Sequence, residues 1–381
     1  MSRSRSRSVF MLMLLLFAMI APLSLGGAGS ATVGAQGATL SCEPLNPQSA
    51  SAVNETSTAP VSEPAAELTP VTMGYVPALI FAPVFVAKEL GYFAEFGIDM
   101  TLEPLPGGSD MVVLTASGDF DAGIGGTGPA FFNAIDAGLP ITVIAPGHQE
   151  GSPVATPLMI SKEACESGAI TSVADLAGKR VSVNARGATE YWLSAALATG
   201  GLTMDDVTVE TLAFPDAVAA LQSGAIDAAM VGEPLATKAE QEGIAVRLAS
   251  DFDVQNIQPT MVFANSSWAE ENPELAAGVV AGFLKASRVM MDGGFQDPKI
   301  LEIIQQYTNV EGDLVAQAVQ PVYSANGTID LASINELQAF FRQQDLLEYD
   351  EDIDPATFVD TTYVDMALEW IGTADMATPT P

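Results

Sequence analysis

The sequence predicts an α/β fold of two similar lobes, each a mainly parallel mixed sheet flanked by helices, with a helical C-terminal cap on the first lobe. Three observations predict it. From Val71 onward, short β-like apolar runs alternate with helical ones, and alternation on that scale implies mainly parallel sheets covered by helices. The stretch 114–122, LTASGDFDA, is echoed at 220–228, ALQSGAIDA; both read as a helix, a Ser-Gly stop, a turn carrying Asp and a buried strand. After Glu271 the pattern turns to helices alone.

In chain order, the first strand is expected over 71–76, a helix over 81–90 closed by Gly91, a strand over 100–105 and a helix over 109–116. Further strands are expected at 120–124, 140–145, 157–161, 180–183, 207–212, 226–231, 246–249 and 260–264, with helices between most of them. The cap is expected as helices over 273–291, 298–307, 313–319, 331–344 and 355–370. A body of about 300 residues exceeds what one hydrophobic core organises. Residues 71–155 and 255–381 are therefore assigned to lobe one with its cap, and 156–254 to lobe two.

The N-terminus has a different character. Arg3, Arg5 and Arg7 precede an apolar run from Val9 to Leu25 that ends in small residues, the pattern of a signal peptide, expected over 1–35 with cleavage after Ser30 or Ala35. Residues 36–70, rich in Ala, Ser, Thr, Pro and Glu, bury too little apolar surface to offset the cost of ordering them and read as a tether. No second long apolar segment occurs, so an exported, soluble body is expected.

Fourteen Lys plus Arg against 47 Asp plus Glu give a formal net charge of −33. Such an excess of negative charge excludes nucleic acid as a partner. The two cysteines, Cys42 in the tether and Cys165 in the body, permit a disulfide in an oxidising compartment; Cys42 as a lipidated N-terminus is the alternative, since Leu40-Ser41-Cys42 is a displaced lipobox. No spacing for a metal, phosphate-binding glycine loop or nucleophilic triad is present, so no cofactor, metal or catalytic residue is assigned. His148, the single histidine, sits in the turn 146–151 and is expected to face water.

In open α/β sheets a ligand binds beyond the carboxyl ends of the strands. Four segments take that position. Tyr75 ends the first strand, and its ring is placed to cover a ligand or to join the core. Gly126 and Thr127 lie in GGTGP, where small residues let backbone amides approach a ligand and Pro129 opens a helix. Arg186, Gly187, Ala188 and Thr189 open an alanine-rich helix, whose free N–H donors and partial positive charge suit an anion; Arg186 either reinforces that charge or pairs with Glu190. Glu233, after the strand 226–231, can accept from a ligand amine or hydroxyl or from Arg186.

The stretches GYVPALIFAPVFVAKELGYFAEFG from Gly74, ASGDFDAGIGGTGPAFFNAI from Ala116, SVADLAGKRVSV from Ser172, FPDAVAALQSGAIDAAMVGEPLATKAEQEG from Phe214 and ENPELAAGVVAGFLKAS from Glu271 together resemble the ABC-transporter solute-binding proteins for nitrate, sulfonates, taurine and the thiamine-precursor pyrimidine. The resemblance implies a type II periplasmic-binding fold whose lobes close on a ligand, with crossovers near 151–157 and 249–259. It implies ligand contacts at Tyr75, Gly126, Thr127, 186–189 and Glu233. The expected role is capture of a small anionic, zwitterionic or heteroaromatic solute outside the cytoplasmic membrane, as a monomer, for a membrane permease. A sensory receptor without transport and an enzyme like the thiamine-pyrimidine synthases that share this fold are the rivals.

Overall fold

The computed structural model describes residues 40–44, 67–105, 108–254 and 257–374. The expected leader and most of the tether lie outside the described residues. Lobe one opens with β1 (Thr69–Tyr75), α1 (Ala82–Glu89), α2 (Tyr92–Glu95), β2 (Ile98–Pro104), α3 (Gly108–Ser117), β3 (Ala122–Gly126), α4 (Pro129–Asp136) and β4 (Ile141–Pro146). After the two-residue β5 (His148–Gln149), lobe two runs β6 (Leu158–Ser161), α5 (Lys162–Glu166), β7 (Arg180–Val183), α6 (Ala188–Thr199), β8 (Thr208–Thr211), α7 (Phe214–Ser223), β9 (Ala228–Met230), α8 (Leu235–Gln241) and β10 (Ala245–Ala249). The chain returns through β11 (Thr260–Asn265) to α9 (Ser266–Glu271), α10 (Pro273–Met291), α11 (Pro298–Thr308), α12 (Gly312–Gln317), β12 (Val322–Tyr323), α13 (Leu331–Gln343) and α14 (Thr362–Ile371).

Among the described residues the strands form two five-stranded sheets, in the orders β2-β1-β3-β11-β4 and β10-β6-β9-β7-β8. In each, four strands run one way and one is reversed. The reversed strand is β11 in the first sheet and β6 in the second. The reversal of β11 is a consequence of its place in the chain, because it re-enters lobe one from lobe two and so runs back along β3 and β4.

The repeated helix-turn-strand stretch does the same physical work twice. Gly118 and Gly224 take left-handed backbones, with φ of 82° and 71°, just past the ends of α3 and α7. Three residues later, the carboxylates of Asp121 and Asp227 accept the backbone N–H of Thr72 in β1 and of Arg180 in β7, at 2.8 and 2.9 Å. Each Asp amide in turn donates to the carbonyl of that same residue. The turn thus pins each returning strand to its parallel neighbour.

Two expectations about the cap are corrected. Residues after Glu271 are not helical throughout: Val322 and Tyr323 pair with Gln149 and His148 as a small antiparallel ribbon. The helix expected over 355–370 is broken, because residues 358–360 lie along β4, with Val143 N–H donating to the Phe358 carbonyl at 2.8 Å and Asp360 N–H to the Val143 carbonyl at 3.0 Å. β4 is the outer strand of its sheet and carries unpaired backbone groups, so pairing there outweighs helix propensity.

Cys42 and Cys165 form a disulfide with Cα atoms 5.8 Å apart. The bond pins Leu40 and Cys42 against the apolar core around α5 and excludes a lipidated Cys42.

Candidate functional site

The carboxyl ends of β1, β3, β7 and β9 carry the four segments singled out in the sequence, and the two glycine-bearing ones meet. A Cβ placed on Gly187, at the start of α6 in lobe two, would sit 3.6 Å from Cδ of Pro129, at the start of α4 in lobe one. Pro129 has no N–H, and the Phe131 and Glu190 amides bond back to the Gly128 and Gly187 carbonyls, so the donors left without an acceptor in the first turns are the amides of Ala188 and Thr189 in α6 and of Ala130 in α4. Gly126 is exposed beside it.

The side chains are more committed than the sequence suggests. The ring of Tyr75 is buried, edge-on to Phe85 at 5.0 Å and Tyr307 at 5.9 Å, as part of the lobe-one core. Burial, with a smaller effect of Glu103, raises its phenol above the usual value. Thr127 is buried; its hydroxyl and its amide both donate to the Pro259 carbonyl, at 3.1 and 2.9 Å, tying the end of β3 to the second crossover.

Arg186 lies half exposed and donates through Nε to Glu190 Oε1 at 3.0 Å. Glu190 Oε2 accepts the Gly187 amide at 3.2 Å, so the carboxylate of Glu190 itself caps the start of α6. The Thr189 hydroxyl donates to Asn184 Oδ1 at 2.7 Å. Glu233 has Arg247 for its partner where the sequence suggested Arg186 or a ligand: Arg247 Nη2 stands 2.6 Å from Glu233 Oε1, and the carboxylate also accepts from Thr237 and from the Val319 amide of the cap. Arg247 bonds Glu240 as well, at 3.0 Å, in a triad whose side chains are all at most 4% exposed.

His148 is corrected too. It is buried, with its amide donating to Thr260 Oγ1 and Nδ1 2.8 Å from that oxygen, and burial lowers its pKa to about 3. The ribbon of β5 with β12 and the packing of β11 cover the turn that the sequence placed in water.

Sequence reasoning missed three groups at the junction. Glu150 is buried between the lobes, and Gln258 ties the second crossover to the Thr328 carbonyl and the Asp330 amide. In the cap, α13 touches both lobes: Phe341 packs on Phe132 of α4 and Phe340 on Tyr191 of α6, whose hydroxyl bonds Glu336. None of the three carried a sequence signal; Arg247, the partner of Glu233, did, as a cation inside the apolar run AVRLA of a chain with few cations.

A surface depression of about 470 Å³ opens elsewhere, lined in part by Leu139, Thr142, Ser266 and Phe358. It lies at the opposite ends of β4 and β11 from Gly126 and belongs to no candidate segment. Among the described residues no group of three His, Cys, Asp or Glu side chains is arranged to hold a metal, and no helix is long and apolar enough to cross a membrane.

The architecture is that of the periplasmic binding proteins. The alkanesulfonate-binding protein SsuA from Xanthomonas axonopodis pv. citri superposes with a TM-score of 0.61 at 20% identity, over 78% of this chain and 100% of that one. A desulfurization enzyme, DszB, shares the fold with a TM-score of 0.58 at 18% identity, over 79% and 99%. The chain belongs to the NMT1-like family, whose pattern matches residues 64–303.

Among curated relatives, the nitrate/nitrite binding protein NrtA of a Nostoc species is 24% identical over 277 residues, 69% of this chain and 60% of the relative. The riboflavin-binding protein RibY of Chloroflexus aurantiacus is 28% identical over 256 residues, 65% of this chain and 68% of the relative. The chain thus spans about three fifths of the length of the nitrate/nitrite relative.

Proposed function

We propose that this chain is the extracytoplasmic solute-binding component of an ABC importer, holding a small anionic, zwitterionic or heteroaromatic solute between its lobes and presenting it, as a monomer, to a membrane permease. The observation that carries the reading is the meeting of the α4 and α6 N-termini at the lobe junction, which brings the start of α6, with the Ala188 and Thr189 amides, beside the glycine segment of the other lobe. Related proteins named for nitrate, alkanesulfonate and riboflavin support a small polar solute. Export is supported by the leader-like N-terminus and by the Cys42–Cys165 disulfide, which persists in oxidising compartments.

Recognition on this reading runs through the amides of Ala188 and Thr189, the glycine segment at Gly126 and the exposed Arg186. Glu190 partly neutralises Arg186, so the site tolerates a solute that carries less than a full negative charge. The lobes close on the solute by a shift of an open-closed equilibrium, since the closed form alone contacts it from both sides.

The fold shared with DszB keeps an enzyme in view. Against it stand the chain's own groups: the single histidine is buried with a pKa near 3, and both cysteines are joined to each other. The test is a thermal-shift screen of the chain from residue 36 against nitrate, bicarbonate, alkanesulfonates, taurine, riboflavin and pyrimidine precursors. One solute class should raise the melting temperature in proportion to the logarithm of its concentration. A folded protein that responds to none of them removes this reading.

A further inference from the structure

Glu150 sits at the first crossover, 3% exposed, and joins parts of the molecule that belong to different lobes. Its backbone is rooted on the lobe-one side. Two residues before it, His148 is held to Thr260 of β11 through both its amide and its ring, and Gln149 pairs with Val322 of the cap. Its carboxylate reaches into lobe two. Oε1 accepts the indole N–H of Trp192 in α6 at 2.8 Å, and Oε2 accepts the Ala155 amide at 2.6 Å. The Ala155 carbonyl in turn accepts the Glu233 amide at 2.9 Å. The side chain therefore connects directly to α6 and, only through Ala155 of the crossover, to the turn at Glu233.

A buried carboxylate is costly, and burial, opposed by bonds from Trp192, Ala155 and Thr156, raises its pKa. A carboxylate nonetheless suits this place because it faces donors on both oxygens. A glutamine would turn its own N–H toward one of them.

We infer that Glu150 is a positioning residue for the lobe-two half of the candidate site: from its root in lobe one it holds the Trp192 indole, and with it the first turns of α6, in register with the N-terminus of α4. This rests on the reading that the lobe junction is the solute site. Trp192 is 2% exposed and lies three residues past Thr189, so displacement of its indole is transmitted to the amides at 188 and 189 through less than one helical turn.

The experiment is hydrogen-exchange mass spectrometry on the chain from residue 36 and on Glu150→Gln, Trp192→Phe and the double variant. Trp192→Phe keeps an aromatic ring and deletes the donor. The expected result is exchange at 187–192 about tenfold faster in each single variant, no faster still in the double, and unchanged in β1 and β3. A non-additive, local effect is what loss of one shared bond produces and what general loosening does not. Unchanged exchange at 187–192, equal acceleration in both lobes, or an effect of Trp192→Phe without one of Glu150→Gln would each overturn the assignment. Any solute found in the thermal-shift screen should bind each single variant about tenfold more weakly. If the screen is flat, the exchange data still decide the role of Glu150, so failure of the solute reading and failure of the positioning role are told apart.

Discussion

Lobe one and lobe two share one sheet plan but are held together by different means. Lobe one, with its cap, buries Phe85, Tyr92, Phe93, Phe131, Phe132, Phe263, Phe283 and Phe295. Among its described residues lobe two buries two large rings, Trp192 and Phe252, and otherwise packs smaller residues such as Leu193, Leu197, Ala217, Leu221, Ala229 and Ala236. What it adds is connection: the disulfide to Cys42 and the buried Glu233–Arg247–Glu240 triad. A smaller domain buries a smaller fraction of its surface, so cross-links and buried charge pairs carry order that aromatic packing supplies elsewhere.

The comparison is broken most severely by removing one member from each kind of support. Phe283→Ala, in the middle of α10, should cost about 3–5 kcal/mol, since the cavity is lined by rigid neighbours. Arg247→Met should cost about 3–5 kcal/mol by taking the guanidinium from the buried Glu233 and Glu240 carboxylates, whereas replacing Glu233, Glu240 and Arg247 together by apolar residues should cost much less. Denaturant unfolding of the three variants tests both statements; a triple variant as poor as the single would mean that the triad stabilises on its own account.

Removing the disulfide with Cys42→Ser and Cys165→Ser should cost about 2–4 kcal/mol, since it closes a loop of 123 residues. Reducing agent should reproduce the loss in the parent chain and leave the double variant unaffected. Fast exchange confined to lobe two in the variant would sharpen the contrast between the lobes.

His148 gives the comparison a pH axis on the lobe-one side. Its folded pKa, about 3, lies below the unfolded value near 6.5, so the unfolded chain binds the proton first. The stability that neutral His148 contributes is present above pH 6.5 and is lost as pH falls, at about 1.4 kcal/mol per pH unit down toward the folded pKa. The difference in unfolding free energy between the parent and His148→Phe, measured from pH 7.5 to 5, isolates this slope from the titration of the many carboxylates.

The smallest effects fall at the junction. Thr127→Val should cost about 1 kcal/mol by deleting the hydroxyl bond to the Pro259 carbonyl. Arg186→Ala should change stability by less than about 0.5 kcal/mol, as its guanidinium is largely exposed. On the proposed function it should nonetheless weaken an anionic solute by about 1.5–3 kcal/mol in a titration, so the two readouts separate a solute contact from a structural one.

Much of the fold was legible. The strand over 180–183 matches β7, and the helix over 273–291 matches α10. Both are regular, amphipathic or continuously buried, and flanked by Gly or Pro. The doubled Ser-Gly-x-x-Asp stretch was legible because its job is local: a glycine ends a helix and an aspartate a few residues on caps the neighbouring strand. The site was legible by segment and not by side chain. Which partner Arg186, Glu233 or Thr127 takes depends on groups 4, 14 and 132 residues away. Of these only the nearest lies about one helical turn away, and it was one of the two alternatives that the sequence left open for Arg186.

The sequence by itself determined the α/β alternation, the places where the chain turns, the helical start at Ala188 and the glycine segment at Gly126, because these follow from local backbone preference and the period of apolar residues. Only the tertiary structure decided that His148 is dry, that Cys42 reaches Cys165, that residues 358–360 leave the helix to cover β4, and that Glu150 stands between the lobes. Each of these depends on burial and on hydrogen-bond partners brought from distant parts of the chain. Packing alone sets which polar groups lose water and must find one another.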